Sequence, residues 1–240
     1  SKNKMASKEI LKDEKYLKFT YPKRDSDYPN RLGRYLTKRF LAPRRPNLEI
    51  LDIGCGDGEF LNVFSDLGYK PIGVDISPVE SRHKIHKVDL EKESLPFKDD
   101  TINFVFSKSV IEHMNNPLNL MNEAHRVLKP GGKAVIMTPS WEHNYWGPFY
   151  IDHTHITPFT RYSLEEALKI SGFEDIRVEY FYQLPFVWRT PLLKIIPKII
   201  SMLPIPFRPF RRSWLPNGIN KFIRFSNEVM LVAYVRKQND

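Results

Sequence analysis

One cysteine, Cys55, stands in 240 residues, so no disulfide framework can form and the chain suits a reducing compartment. No apolar run reaches the roughly 18 residues that a bilayer span requires. The opening residues are polar and lysine-rich, with no secretory core, so we expect a cytoplasmic location. The glycine-rich stretch at 54–58 lacks the G-K-[ST] ending of a phosphate loop. It also lacks the G-x-G-x-x-G spacing of a dinucleotide fingerprint. Acidic residues are scarce at both ends. Residues 1–46 carry 14 Lys and Arg against 5 Asp and Glu, and residues 184–240 carry 10 against 2. The middle, 47–183, reverses the balance with 13 against 21. Basic flanks of this kind either face an anionic partner (phosphate, nucleic acid or lipid headgroups) or fold back on the acidic body.

What is present is a soluble composition, 41% hydrophobic and 27% charged, in a chain long enough for one domain with a real core. Its organising stretch is LEILDIGCGDGEFL, Leu48 to Leu61. An apolar run, Ile50 to Ile53, meets Gly54, Gly56 and Gly58, and an apolar-faced segment from Glu59 to about Leu67 follows. That pattern predicts strand, tight turn and helix, the opening unit of an open α/β sheet. Asp52 at the mouth of the turn would repel a pyrophosphate and suits a cationic ligand. Cys55 sits inside the turn as a small side chain.

The rest of the body alternates. KPIGVDIS predicts a second strand ending in Asp75, whose carboxylate at a strand tip can accept two ribose hydroxyls; Ile76 follows it. HKIHKV predicts a short third strand leading to Asp89 and Leu90. The fourth strand is expected over Ile102 to Phe106, with Ser107 at its end. A helix is expected over Pro117 to Leu128 and a fifth strand over KAVIMTP after the LKPGG stop. Ser163 to Ser171 reads as a helix capped by Ser163 and Glu166. The sixth strand is expected over Glu174 to Tyr182 and the seventh over Glu228 to Val235. Ahead of the body, Lys8 to Phe19 and Arg31 to Leu41 read as helical.

The D-x-G-x-G-x-G pattern resembles motif I of the class I S-adenosyl-L-methionine (SAM)-dependent methyltransferases. The phrases LPFKDDTINFVFS, VIEHM and HRVLKPGGKAVIMTP are similar to the small-molecule branch of that family, which includes quinone-biosynthesis and surface-glycan cluster enzymes. The resemblance covers Leu48 to about Phe181 and recurs near the C-terminus. It implies a Rossmann-like, seven-stranded, mostly parallel α/β sheet with an antiparallel last strand and helices on both faces. It implies SAM as cofactor, held by Asp52, Gly54, Cys55, Gly56, Gly58, Asp75, Ile76, Asp89, Leu90 and Ser107. Residues 1–46 would then be a basic cap over the cofactor pocket, and 47–183 with 227–240 the catalytic domain. Residues 184–226, with seven prolines and the lysines 194 and 198 on one helical stripe, would be an insertion serving as lid, dimer surface or membrane-surface patch.

Methyl transfer to a hydroxyl or ammonium needs a base, and histidine titrates in the right range. Asp152, His153 and His155 in DHTH follow an aromatic loop of Trp141, Tyr145, Trp146 and Tyr150, the expected acceptor contacts together with His113. Read as strand, DHTH puts His153 and His155 on one side and Asp152 on the other; either histidine is a candidate base. Glu112 and His113 resemble part of the E-x-x-E-H phrase of metal-dependent methyltransferases, but Ser109 replaces its first acid, and we expect no metal. The expected function is methyl transfer from SAM to O or N of a small, sugar- or lipid-linked acceptor, an anionic one included, with peripheral contact at the inner membrane surface through 184–226. An RNA methyltransferase and a non-catalytic SAM-binding regulator are the alternatives.

Overall fold

The structure is a computed structural model and describes residues 27–41, 47–145, 149–203 and 217–239. The helix expected over Lys8 to Phe19 and the aromatic Trp146 lie outside them. Seven strands make one sheet in the order β3-β2-β1-β4-β5-β7-β6. They are β1 (Glu49–Ile53), β2 (Lys70–Asp75), β3 (Ile85–Lys87), β4 (Ile102–Lys108), β5 (Leu128–Pro139), β6 (Glu174–Phe181) and β7 (Met230–Arg236). The first five pair in parallel, and β7 runs antiparallel between β5 and β6.

The strands alternate two apolar faces, as a pleat must. Leu51, Ile53, Val105, Ala134 and Ile136 share one core with helices α3 (Pro117–Val127) and α4 (Arg161–Ile170). Ile50, Phe104, Phe106, Val135 and Met137 face the other core, with Leu32 and Leu36 of α1 (Asp27–Phe40) and Phe64 of α2 (Glu59–Asp66). Helix α1 therefore packs as a layer on the sheet through Leu32 and Leu36. Gly33 is needed where α1 crosses α2: a Cβ there would lie 2.8 Å from Val63.

Other differences are local. The strand β5 begins at Leu128, five residues before the expected Lys133, because Leu128 pairs with Ile102 before a bulge at the Gly131-Gly132 corner. Helix α4 is capped by Thr160, whose hydroxyl accepts from Ser163 N while Ser163 Oγ accepts from Thr160 N. The capping box thus starts three residues earlier than expected. In the insertion, 3-10 turn Pro191–Lys194 leads into α5 (Ile195–Met202), and α6 (Asn217–Asn227) follows. Pro197 lies in the first turn of α5, where its missing N–H costs no helical bond, so it does not kink the helix.

Candidate active site

The strand order reverses between β1 and β4, so the carboxyl ends of these two strands open a crevice at the switch point. The glycine turn fills one side of it. Gly54, Gly56 and Gly58 all take left-handed φ values of 77°, 53° and 78°. At Gly54 a Cβ would overlap the Val110 side chain, whereas a Cβ at Gly56 would meet nothing within 4 Å. The first glycine is required for packing against the loop after β4, the second for an open cradle. Gly54 N and Cys55 N both donate to Val74 O, at 2.7 and 3.1 Å, which binds the turn to β2. The Cys55 side chain turns inward toward Gly73, and burial pushes its thiol up out of the reactive range.

Two carboxylates face this turn. Asp75 Oδ2 accepts from Gly56 N at 2.8 Å and Oδ1 from Ser77 N at 2.9 Å. Each oxygen keeps a further lone pair for a hydroxyl. Asp52 is 2% exposed, and its Oδ2 has no partner. Burial first, and the nearby Asp75 second, push its carboxyl up to about 8. A buried orphan oxygen beside an open glycine cradle suits a cationic ligand, which would restore the lost solvation of the charged form.

The other side of the crevice comes from the loops after β4 and β5. Glu112 is fully buried; its Oε2 accepts from Thr138 Oγ1 at 2.9 Å, and its backbone O accepts from Ile156 N and Thr157 N. Its Oε1 is orphaned, and burial raises its carboxyl to about 7. His113 and His155 rings sit 4.7 Å apart, edge to face. His155 Nδ1 lies 2.7 Å from the Phe149 carbonyl, so this nitrogen carries the proton and Nε2 the lone pair. Thr154 Oγ1 donates to Asp152 Oδ1 at 2.7 Å and so accepts from His113 Nδ1 at 2.8 Å. Burial, then the proximity of His155, hold His113 down to about 4. One ligand-type atom from each of Glu112, His113 and His155 lies within 4.8 Å of the others, an arrangement with which a divalent ion could be held.

A sequence profile of the methyltransferase domain matches residues 24–178, well over half of the chain. The chain belongs to the class I SAM-dependent methyltransferase family. An uncharacterised methyltransferase of Mycolicibacterium gilvum is 35% identical over 111 residues, 43% of this chain and 42% of that protein. The chain thus spans under half the length of that relative. An uncharacterised protein of Methanocaldococcus jannaschii is 30% identical over 173 residues, 69% of this chain and 72% of that protein. The solved SAM-dependent methyltransferase of Archaeoglobus fulgidus shares the fold, with a TM-score of 0.59 at 22% identity, covering 87% of this chain and 94% of that one.

SAM, the cofactor of this methyltransferase, is a cation with a ribose, and the turn fits both features through Asp52 and Asp75. Ile76 is 52% exposed beside Asp75 and leaves an apolar surface there. Asp89 Oδ1 accepts from Glu91 N and Oδ2 from Lys92 Nζ, at the head of the turn that buries Leu90. The Ser107 side chain is buried and donates to Ile53 O at 3.0 Å, tying β4 to β1. Trp141 is held edge-on by Phe149 at 5.3 Å and Tyr150 at 6.1 Å, with Tyr145 and Tyr150 exposed.

The strand reading of DHTH is corrected. Thr154 N bonds Asp152 Oδ1 at 3.0 Å, closing a turn after the 3-10 segment Phe149–Ile151. This turn puts Asp152 and His155 on the same side, with Oδ2 3.9 Å from Nε2, and leaves His153 exposed. The residues that sequence reasoning missed are Thr154, which orients His113, and Thr138, which holds Glu112. A threonine in a loop and one in a strand carry no local mark of such a role.

Proposed function

We propose that this methyltransferase moves the SAM methyl group to a hydroxyl or amine of a small, sugar- or lipid-linked acceptor, with His155 as general base. The observation that carries the reading is the bond from His155 Nδ1 to the Phe149 carbonyl, which presents Nε2 as the lone pair beside the crevice. Bound SAM supplies an electrophilic methyl on a sulfonium for in-line displacement. Asp52 and the glycine turn hold the cationic ligand, and Asp75 fixes its ribose. His155 Nε2 takes the acceptor proton, and Asp152, 3.9 Å away, stabilises the imidazolium that results. The aromatic loop of Trp141, Tyr145 and Tyr150 supplies flat apolar contacts to the acceptor. Label transfer from tritiated SAM into extract fractions (lipid, polysaccharide, nucleic acid, small molecules) tests the acceptor class; label only in nucleic acid would replace this reading with the RNA one.

The orphaned Glu112 Oε1 favours a second reading, in which Glu112, His113 and His155 hold a divalent cation that binds the acceptor oxygen. His155 is then a ligand, not a base. Turnover that survives EDTA sustains the base reading; turnover lost to EDTA and restored by manganese or magnesium sustains the metal reading.

A further inference from the structure

We propose that the segment from Pro191 to Leu203 docks this methyltransferase on a bilayer surface that carries anionic lipid. The segment hangs from the ligand edge of the sheet. Phe181 at the end of β6 and Pro139 at the end of β5 both pair with Met230 at the start of β7. The chain between β6 and β7 therefore leaves on the side where the glycine turn and the histidines lie. Its root is built rigidly: Tyr182, Leu184 and Val187 are buried with Val229, and Trp188 Nε1 donates to Tyr182 O at 2.8 Å.

Beyond that root, the apolar side chains turn outward. Leu192 is 87% exposed and Met202 76%, with Ile195, Ile199 and Leu203 about half exposed. Pro197 is the buried residue of α5. Exposed aliphatics this close together mark an interaction surface. The charge selects the partner. Residues 184–226 hold eight Lys and Arg and no Asp or Glu, and Arg189, Lys194 and Lys198 are exposed among the aliphatics. A second copy of the chain would bring like charge against like charge. Nucleic acid would satisfy the cations but gains little from leucine and isoleucine, which offer no stacking face. An anionic bilayer interface takes both: aliphatics enter the acyl boundary while the lysines reach the phosphates.

Flotation of the full chain with phosphatidylcholine vesicles, with and without phosphatidylglycerol, tests the surface. The expected result is binding only where phosphatidylglycerol is present. Lys194→Gln and Lys198→Gln should each weaken partitioning about fivefold. The pair Ile199→Asp and Met202→Asp should abolish it while SAM affinity by calorimetry stays unchanged, which shows the variant is folded. No binding to either vesicle overturns the proposal, as does binding that the aspartate pair leaves intact or a dimer in light scattering that the pair dissolves. Because the readout needs no turnover, its failure is distinct from failure of the methyl-transfer reading.

Discussion

Two regions at the carboxyl ends of the strands, the glycine turn and the cluster of Glu112, His113 and His155, are built in different ways. The cofactor half is a continuous strand, turn and helix, Glu49 to Asp66, with Asp75 delivered by the neighbouring strand. The half proposed above to receive the acceptor draws Glu112 and His113 from the loop after β4, Thr138 from β5, and Asp152, Thr154 and His155 from a turn some forty residues further on. The first half is a local structure that needs the sheet only for support. The second exists only once two loops have packed. The contrast teaches that cofactor binding and transfer should be separable by mutation.

The largest effect expected falls on the acceptor half. His155→Ala should lower the transfer rate by about 10²–10⁴ with SAM affinity unchanged, while His153→Ala should change either little. Equal losses from both would break the distinction between the buried and the exposed histidine. Next come the glycines. Gly54→Ala must displace Val110 and should cost about 2–4 kcal/mol of stability in chemical denaturation. Gly56→Ala meets no protein atom, should cost only about 1–2 kcal/mol, and should weaken SAM binding by intruding on the cradle.

Asp75→Ala should weaken SAM binding about tenfold or more in calorimetry, leaving the histidine half intact. The smallest effect expected is a pH dependence. Asp52 is held protonated up to about 8 in the free chain, and a cation favours its charged form. SAM affinity should therefore rise with pH toward 8, by at most about tenfold per unit, and Asp52→Asn should flatten the rise. The same raised carboxyl gives the free fold stability that is complete below the ordinary aspartate range and is lost as pH climbs through about 8. A free chain whose melting temperature is flat from pH 5 to about 8 would remove Asp52 as an uncompensated acid.

Much of the fold was legible in the chain. Strand β2 begins and ends where its apolar run and Asp75 suggest, and β1 and β6 agree to within one residue. Helix α3 has the expected start at Pro117. What misled was a periodicity read over too few residues. DHTH alternates like a strand, but Asp152 bonds Thr154 N and turns the chain, so the histidines part company.

By itself, then, the amino-acid order determined the alternating α/β body, the glycine turn and the acids at two strand tips. These follow from short-range rules: the pleat repeats every two residues, and only glycine takes a left-handed φ at no cost. Tertiary structure alone decided which histidine packs beside Asp152 and His113, which nitrogen of its ring carries the lone pair, and that Asp52 and Glu112 each keep a buried oxygen without a partner. Those outcomes depend on groups far apart in the chain and on the solvent their packing excludes, and neither is written in any local stretch.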